Sequence, residues 1–238
     1  MSNPMLSKER FEISATRAAS TSMTVHGAVN KTLILLALAC GTGLYAYQTP
    51  LGPLALVLGV AGALALGLLT SFVPRLSPIT APLYALSEGA LLGTITRSYA
   101  GAYSGIVLPA VFLTFGALFA MLGLYRLRIL RMSAGLSVFL LVATCSIALT
   151  YLASSILGFF SIHIPFIHSS GTFGILFSLF VIVVATLGFI QDFAAIEHGA
   201  QQRAPAFMEW YCAFGLLVSL VWLYLEVLRL LAKLRGRD

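Results

Sequence analysis

Residues 172–192 read TFGILFSLFVIVVATLGFIQD. Twenty of these residues pass before the first formal charge, Asp192. A helix of roughly 20 apolar residues crosses the hydrocarbon core of a bilayer. Six more stretches of this kind flank it, at 32–48, 53–73, 79–98, 105–125, 135–159 and 211–232. In hydrocarbon every backbone amide needs an internal partner, so a chain built this way is expected to be an all-α, polytopic helical bundle. A membrane β-barrel shows shorter, alternating segments instead.

Composition agrees. The 238 residues are 59% hydrophobic and only 9% charged, with a mean hydropathy of +0.97. A soluble domain carries about 25% charged residues. A soluble enzyme of this length lacks the polar surface to face water on all sides. Cys40, Cys145 and Cys212 lie far apart in apolar runs, so they read as small packing residues rather than a disulfide or metal framework. The polar stretch 1–30 has no apolar core behind a basic start and reads as an arm, not a signal peptide. The expected organisation is that arm followed by a seven-helix transmembrane domain over 31–235. Breakers mark the connections: Pro50 and Pro53, Pro74 and Pro78, the Arg126–Arg131 run, and Pro165. The segment 193–210 is expected to be the one long loop.

With seven spans, one side carries nine basic residues: Lys8, Arg10, Arg17, Lys31, Arg75, Arg126, Arg128, Arg131 and Arg203. The other carries five: Arg97, Arg229, Lys233, Arg235 and Arg237. The positive-inside rule then places the N-terminus in the cytoplasm. The basic tail prefers that same side, and six spans or a re-entrant last segment would satisfy it. Gly89-x-x-x-Gly93 and Gly101-x-x-x-Gly105 fit the small-residue pattern of closely packed membrane helices.

Chemistry is confined to few residues. Of eight acids, Glu9, Glu12 and Asp238 sit in the tails, and Glu197 and Glu209 in or beside the last loop. Glu88, Asp192 and Glu226 fall within or beside apolar spans. An ionisable group at membrane depth costs several kcal/mol unless paired, protonated or facing water, which makes these three the candidates for an ion or proton path. Each also has a structural reading. Glu88 can bond a neighbouring carbonyl, Asp192 can be a helix-end residue, and Glu226 can pair with Arg229 three residues on. Arg75 is a secondary candidate, a latch for a carboxylate. The four histidines (His26, His163, His168, His198) are read in the arm and loops, which leaves no base for an intramembrane serine protease. No cofactor is expected.

Three stretches resemble the Bax inhibitor family, and its bacterial branch most. PITAPLYALSEGALLGTI (78–95) is similar to the proline-started third span. IQDFAAIE (190–197) resembles the end of the sixth. LYLEVLRLLAKL (223–234) resembles the seventh, where the family usually has aspartate after Leu-Tyr-Leu. The resemblance implies seven helices with the last one central. It also implies two acids, here Asp192 and Glu226, acting as a pH-sensing pair that controls a calcium leak and transiently ligates the ion. It implies residence in the bacterial inner membrane, in contact with lipid and with other membrane proteins such as proteases.

Depth arithmetic modifies the pairing. Glu226 lies about 18 Å into a span that starts near Phe214, and Glu88 about 15 Å from the same face. Glu226 is therefore expected beside Glu88, and Asp192 near Glu209 or Arg75. A proton-coupled transporter, or a regulator that binds other membrane proteins, are the rival readings.

Overall fold

The computed structural model describes residues 22–49, 51–159 and 171–236. Expectations about most of the arm, His163, His168, Pro165 and Asp238 lie outside them. The fold is an all-α bundle. Its long helices are α1 (Val25–Gln48), α2 (Pro53–Phe72), α3 (Ser77–Ala102), α4 (Val107–Arg126), α5 (Ala134–Phe159), α6 (Thr172–Gln201) and α7 (Met208–Arg235). Five of them, α1, α4, α5, α6 and α7, are each long and apolar enough to cross a membrane. Most of α2 and the chain through α3 meet that measure together, with axes turning through 116° at the break between them. The outer surface is apolar where a soluble protein would be polar: Phe72 is 81% exposed and Phe112 74%. These features make the chain a multi-pass membrane protein.

Hydrogen bonds between helix ends show how the chain runs. At one end of the bundle, Met23 N–H donates to the Ala204 carbonyl at 2.7 Å. There Ser77 Oγ donates to Phe207 O at 2.9 Å. At the other end, Arg97 donates to the carbonyls of Tyr47 and Gln48, each at 2.9 Å. Arg235 reaches Ser104 O there at 2.5 Å. A cation on the last carbonyls of α1 complements its dipole. The start of α1, the α2–α3 corner and the α6–α7 connection therefore share the first end. The end of α1, the α3–α4 connection and the end of α7 share the second.

Helices α1, α3, α6 and α7 are longer than hydropathy suggested, and the reasons are local. α1 starts at Val25 rather than 32, because Thr24 caps it: its Oγ1 accepts from Gly27 N–H at 2.9 Å. α6 continues to Gln201, so the connection expected over 193–210 shrinks to the few residues before α7. Its extra turns are amphipathic: Phe193 and Ile196 are buried, while Glu197 and His198 are exposed. His26 and His198 consequently sit on helix ends, not in loops.

Pro82 lies inside α3, where its missing N–H leaves the Pro78 carbonyl without a helical donor. At the α2–α3 break, Thr70 Oγ1 is hydrogen-bonded to Thr80 Oγ1 at 2.7 Å, both residues buried. Hydroxyls elsewhere turn back on their own helix, as Thr114 Oγ1 does to Ala110 O at 2.8 Å. That satisfies them without water.

The core forms patches. One joins α4, α6 and α7 through Ala110, Met121, Phe189, Ile190, Leu223 and Leu228. A second joins α1, α2, α3 and α7 through Leu35, Ala63, Ala85, Ala213 and Leu217. α7 contributes to both, and packs along α1, α3, α4 and α6. Between α1 and α3 the contact is backbone to backbone. A Cβ on Gly93 would lie 2.0 Å from Gly43 O, and one on Gly89 2.2 Å from Ala39 O. The Gly89/Gly93 pair is thus a packing notch. The second motif is not: Gly101 has nothing nearby, and Gly105 is a turn residue at φ +76°.

Candidate functional site

The candidate acids lie along the faces of α7. Asp192, half-buried on α6, faces Ser219 of α7. Gly215, one turn before Ser219, lies against it: a Cβ there would stand 3.9 Å from Asp192 Oδ1, an ordinary contact. The second oxygen, Oδ2, is sealed from solvent and has no hydrogen-bond partner. Asp192 is not a helix-end residue. The structure puts it nine residues before the end of α6, about 14 Å along the axis.

Glu226 is fully buried, 1% exposed. Its Oε1 accepts from Tyr151 of α5 at 2.8 Å and from Arg229 at 2.5 Å. Arg229 also donates to the Tyr151 hydroxyl at 2.6 Å, which closes a triangle. Oε2 is buried without a partner. The i,i+3 pairing within α7 is therefore real, and it is reinforced from α5. One further turn on, Lys233 is buried and donates to Gly174 O and Ser178 Oγ, both at 2.9 Å. Glu226, Arg229 and Lys233 share one stripe of α7, facing α5 and the start of α6.

Glu88 lies beside Tyr84, one turn earlier on α3. The Tyr84 ring packs edge-on against Phe214 of α7, with centroids 4.9 Å apart. The expected Glu88–Glu226 pair is not formed. Glu88 lies beside a tyrosine of its own helix, while Glu226 Oε1 is held by Tyr151 and Arg229. Asp192 and Glu226 are likewise separate. Ser219 and Glu226 are seven residues apart on α7, about 10 Å along the axis.

Glu209 and Arg75 differ from expectation too. Glu209 is not near Asp192. Its carboxylate accepts from Thr24 N–H at 2.8 Å and Thr24 Oγ1 at 3.0 Å. It also pairs with Lys31. Gly27 makes this possible, because a Cβ there would stand 2.0 Å from Glu209 Oε1. The carboxylate thus sits over the N-termini of both α1 and α7, where helix dipoles favour a negative charge. Arg75 is exposed at the α2–α3 corner, and among the described residues it forms no ion pair with a carboxylate.

Lys233 was legible in principle, because positions 226, 229 and 233 fall on one helical face. Tyr151, Ser219 and Thr24 were not, because no local pattern tells a hydroxyl which distant acid it will meet. Among the described residues no three His, Cys, Asp or Glu side chains converge as a metal site.

Comparison with curated proteins finds no match, and neither does comparison with solved structures. A family model described as Bax inhibitor 1 like matches residues 3–236. With that match spanning nearly the whole chain, and a multi-pass helical bundle beneath it, the protein belongs to the Bax inhibitor 1-like family.

Proposed function

We propose that the protein is a pH-sensitive calcium leak pathway, with seven membrane-spanning helices around a central α7 and its N-terminus in the cytoplasm. The carrying observation is the pair of sealed, partnerless carboxylate oxygens, Asp192 Oδ2 and Glu226 Oε2. A buried oxygen without a donor is costly, and functional sites are where such costs persist. Both oxygens belong to residues on or against α7, the helix that contributes to both larger core patches.

Proton exchange at Asp192 changes what Ser219 can donate to, and so the hold of α6 on α7. A contact with two such arrangements can bias a closed bundle towards an open one. Glu226 is neutralised by Arg229 in the closed form. Release of that arginine frees a carboxylate and the Tyr151 hydroxyl together. Calcium prefers six to eight oxygen ligands, far more than these two acids supply. The expected traffic is passage rather than storage. The bacterial inner membrane is the proposed site, on the resemblance of the three quoted stretches to that branch.

Reconstitution tests this. Calcium entry into proteoliposomes is expected to vary with pH between about 5 and 8, and Glu226→Gln to change that profile. A Glu226→Gln profile identical to wild type would contradict the role given to Glu226. Flux that saturates and requires a counter-ion would replace the leak with a proton-coupled transporter.

A further inference from the structure

At the first end of the bundle, a cleft of about 1090 Å³ opens between α1 and α4. Both helices pack on α6 and α7 but form no packed face with each other. One wall is α1, with Val29 and Leu33. The other is α4, with Phe115, Phe119 and Leu122. The floor is α6 and α7, with Phe193, Leu217 and Leu220. Along α4 the apolar part reaches from Phe115 to the helix end at Arg126, about 16 Å. That is close to one leaflet of a hydrocarbon core of ~30 Å. The volume exceeds the ~300–1,000 Å³ of ordinary small-ligand pockets.

The mouth of this cleft is basic. Arg126, Arg128 and Arg131 line it. All three are exposed, and among the described residues none forms an ion pair. Arg128 holds a left-handed backbone at φ 61°. The one acid at the mouth, Glu197, is already engaged. It accepts from the Tyr125 hydroxyl at 2.5 Å and from Gln201 Nε2 at 3.4 Å. Three free guanidinium groups therefore stand over an apolar slot one leaflet deep.

We infer that this cleft is a binding site for one anionic phospholipid, its phosphate held by Arg126, Arg128 and Arg131 and an acyl chain lying between α1 and α4. Guanidinium pairs well with phosphate oxygens because its fork of donors matches them. A zwitterionic lipid offers the same chain but cancels the headgroup charge. A soluble anion offers the charge but leaves the slot unfilled. The site stands apart from the leak reading, because its occupancy is read without any flux.

The test uses the purified full chain in a neutral detergent, with bound lipid counted by native mass spectrometry. Dioleoyl phosphatidylglycerol is expected to be retained over dioleoyl phosphatidylcholine. Replacing the three arginines with glutamine (R126Q, R128Q and R131Q together) is expected to weaken phosphatidylglycerol retention at least about tenfold. Val29→Trp with Leu33→Trp fills the slot from one wall, and Leu122→Trp fills it from the other. Both residues of the first pair are exposed, so the fold should survive. Either filling is expected to reduce retention while the arginines remain. Equal retention of the two lipids overturns the site. So does an unchanged preference after loss of the arginines, or full retention in both filled variants.

Discussion

Glu226 and Arg229 set the residue-scale account. Glu226 is fully enclosed, while the Arg229 side chain is 31% exposed. Removing the arginine leaves a buried carboxylate with one tyrosine. Removing the acid leaves a less enclosed cation that keeps its bond to the Tyr151 hydroxyl. Arg229→Ala is therefore expected to destabilise the folded protein by about 3 kcal/mol, and Glu226→Gln by clearly less. Thermal unfolding in detergent compares them, and equal losses would show that the exposure difference does not matter. Gly27→Ala tests the other charged contact. Its Cβ would displace the Glu209 carboxylate from Thr24 and Lys31, at an expected cost of about 1–3 kcal/mol. At this scale the sequence marked the acids, because a charge within an apolar run stands out. It did not mark their partners. Tyr151 lies 75 residues from Glu226, and Thr24 lies 185 from Glu209. Only the folded packing brings them together.

Among elements, the α1–α3 seam carries the sharpest expectation. Gly93 meets the α1 backbone directly, so any side chain there must separate two helices. Gly93→Ala is expected to lower stability by several times as much as Gly101→Ala, whose Cβ meets nothing. The Gly101 change should stay within about 1 kcal/mol. Similar losses at both positions would contradict the packing described. Helix existence was readable from hydropathy, since all seven apolar stretches became helices. Helix ends were not. The turns around Phe193–Gln201 carry polar residues on one face, and a hydropathy window averages that face away. The same averaging hid the turn of α1 that Thr24 caps. The small-residue spacing was right at Gly89/Gly93 and failed at Gly101/Gly105, because spacing alone does not distinguish a helix notch from a turn.

For the whole molecule, the proposed seven spans put the two ends of the bundle on opposite sides of the membrane. Single cysteines at Arg128 and at Gly52 are expected to be labelled from opposite sides by a membrane-impermeant maleimide, in a background with Cys40, Cys145 and Cys212 replaced. Labelling from one side would make α2 and α3 together a single broken span, one fewer than proposed. The basic end residues Arg97 and Arg235 tie helix ends together rather than float in solvent.

Asp192, which faces Ser219 and keeps its second oxygen buried without a donor, is proposed to set the pH response of the leak. Calcium flux through Asp192→Asn in proteoliposomes, across pH about 5 to 8, tests it most directly. Asparagine copies the uncharged carboxyl. The mutant is expected to lose most of the pH dependence, with a flux near that of the wild type at its acid limit and only the contribution of Glu226 remaining. A mutant whose flux still follows pH as the wild type does would contradict the account.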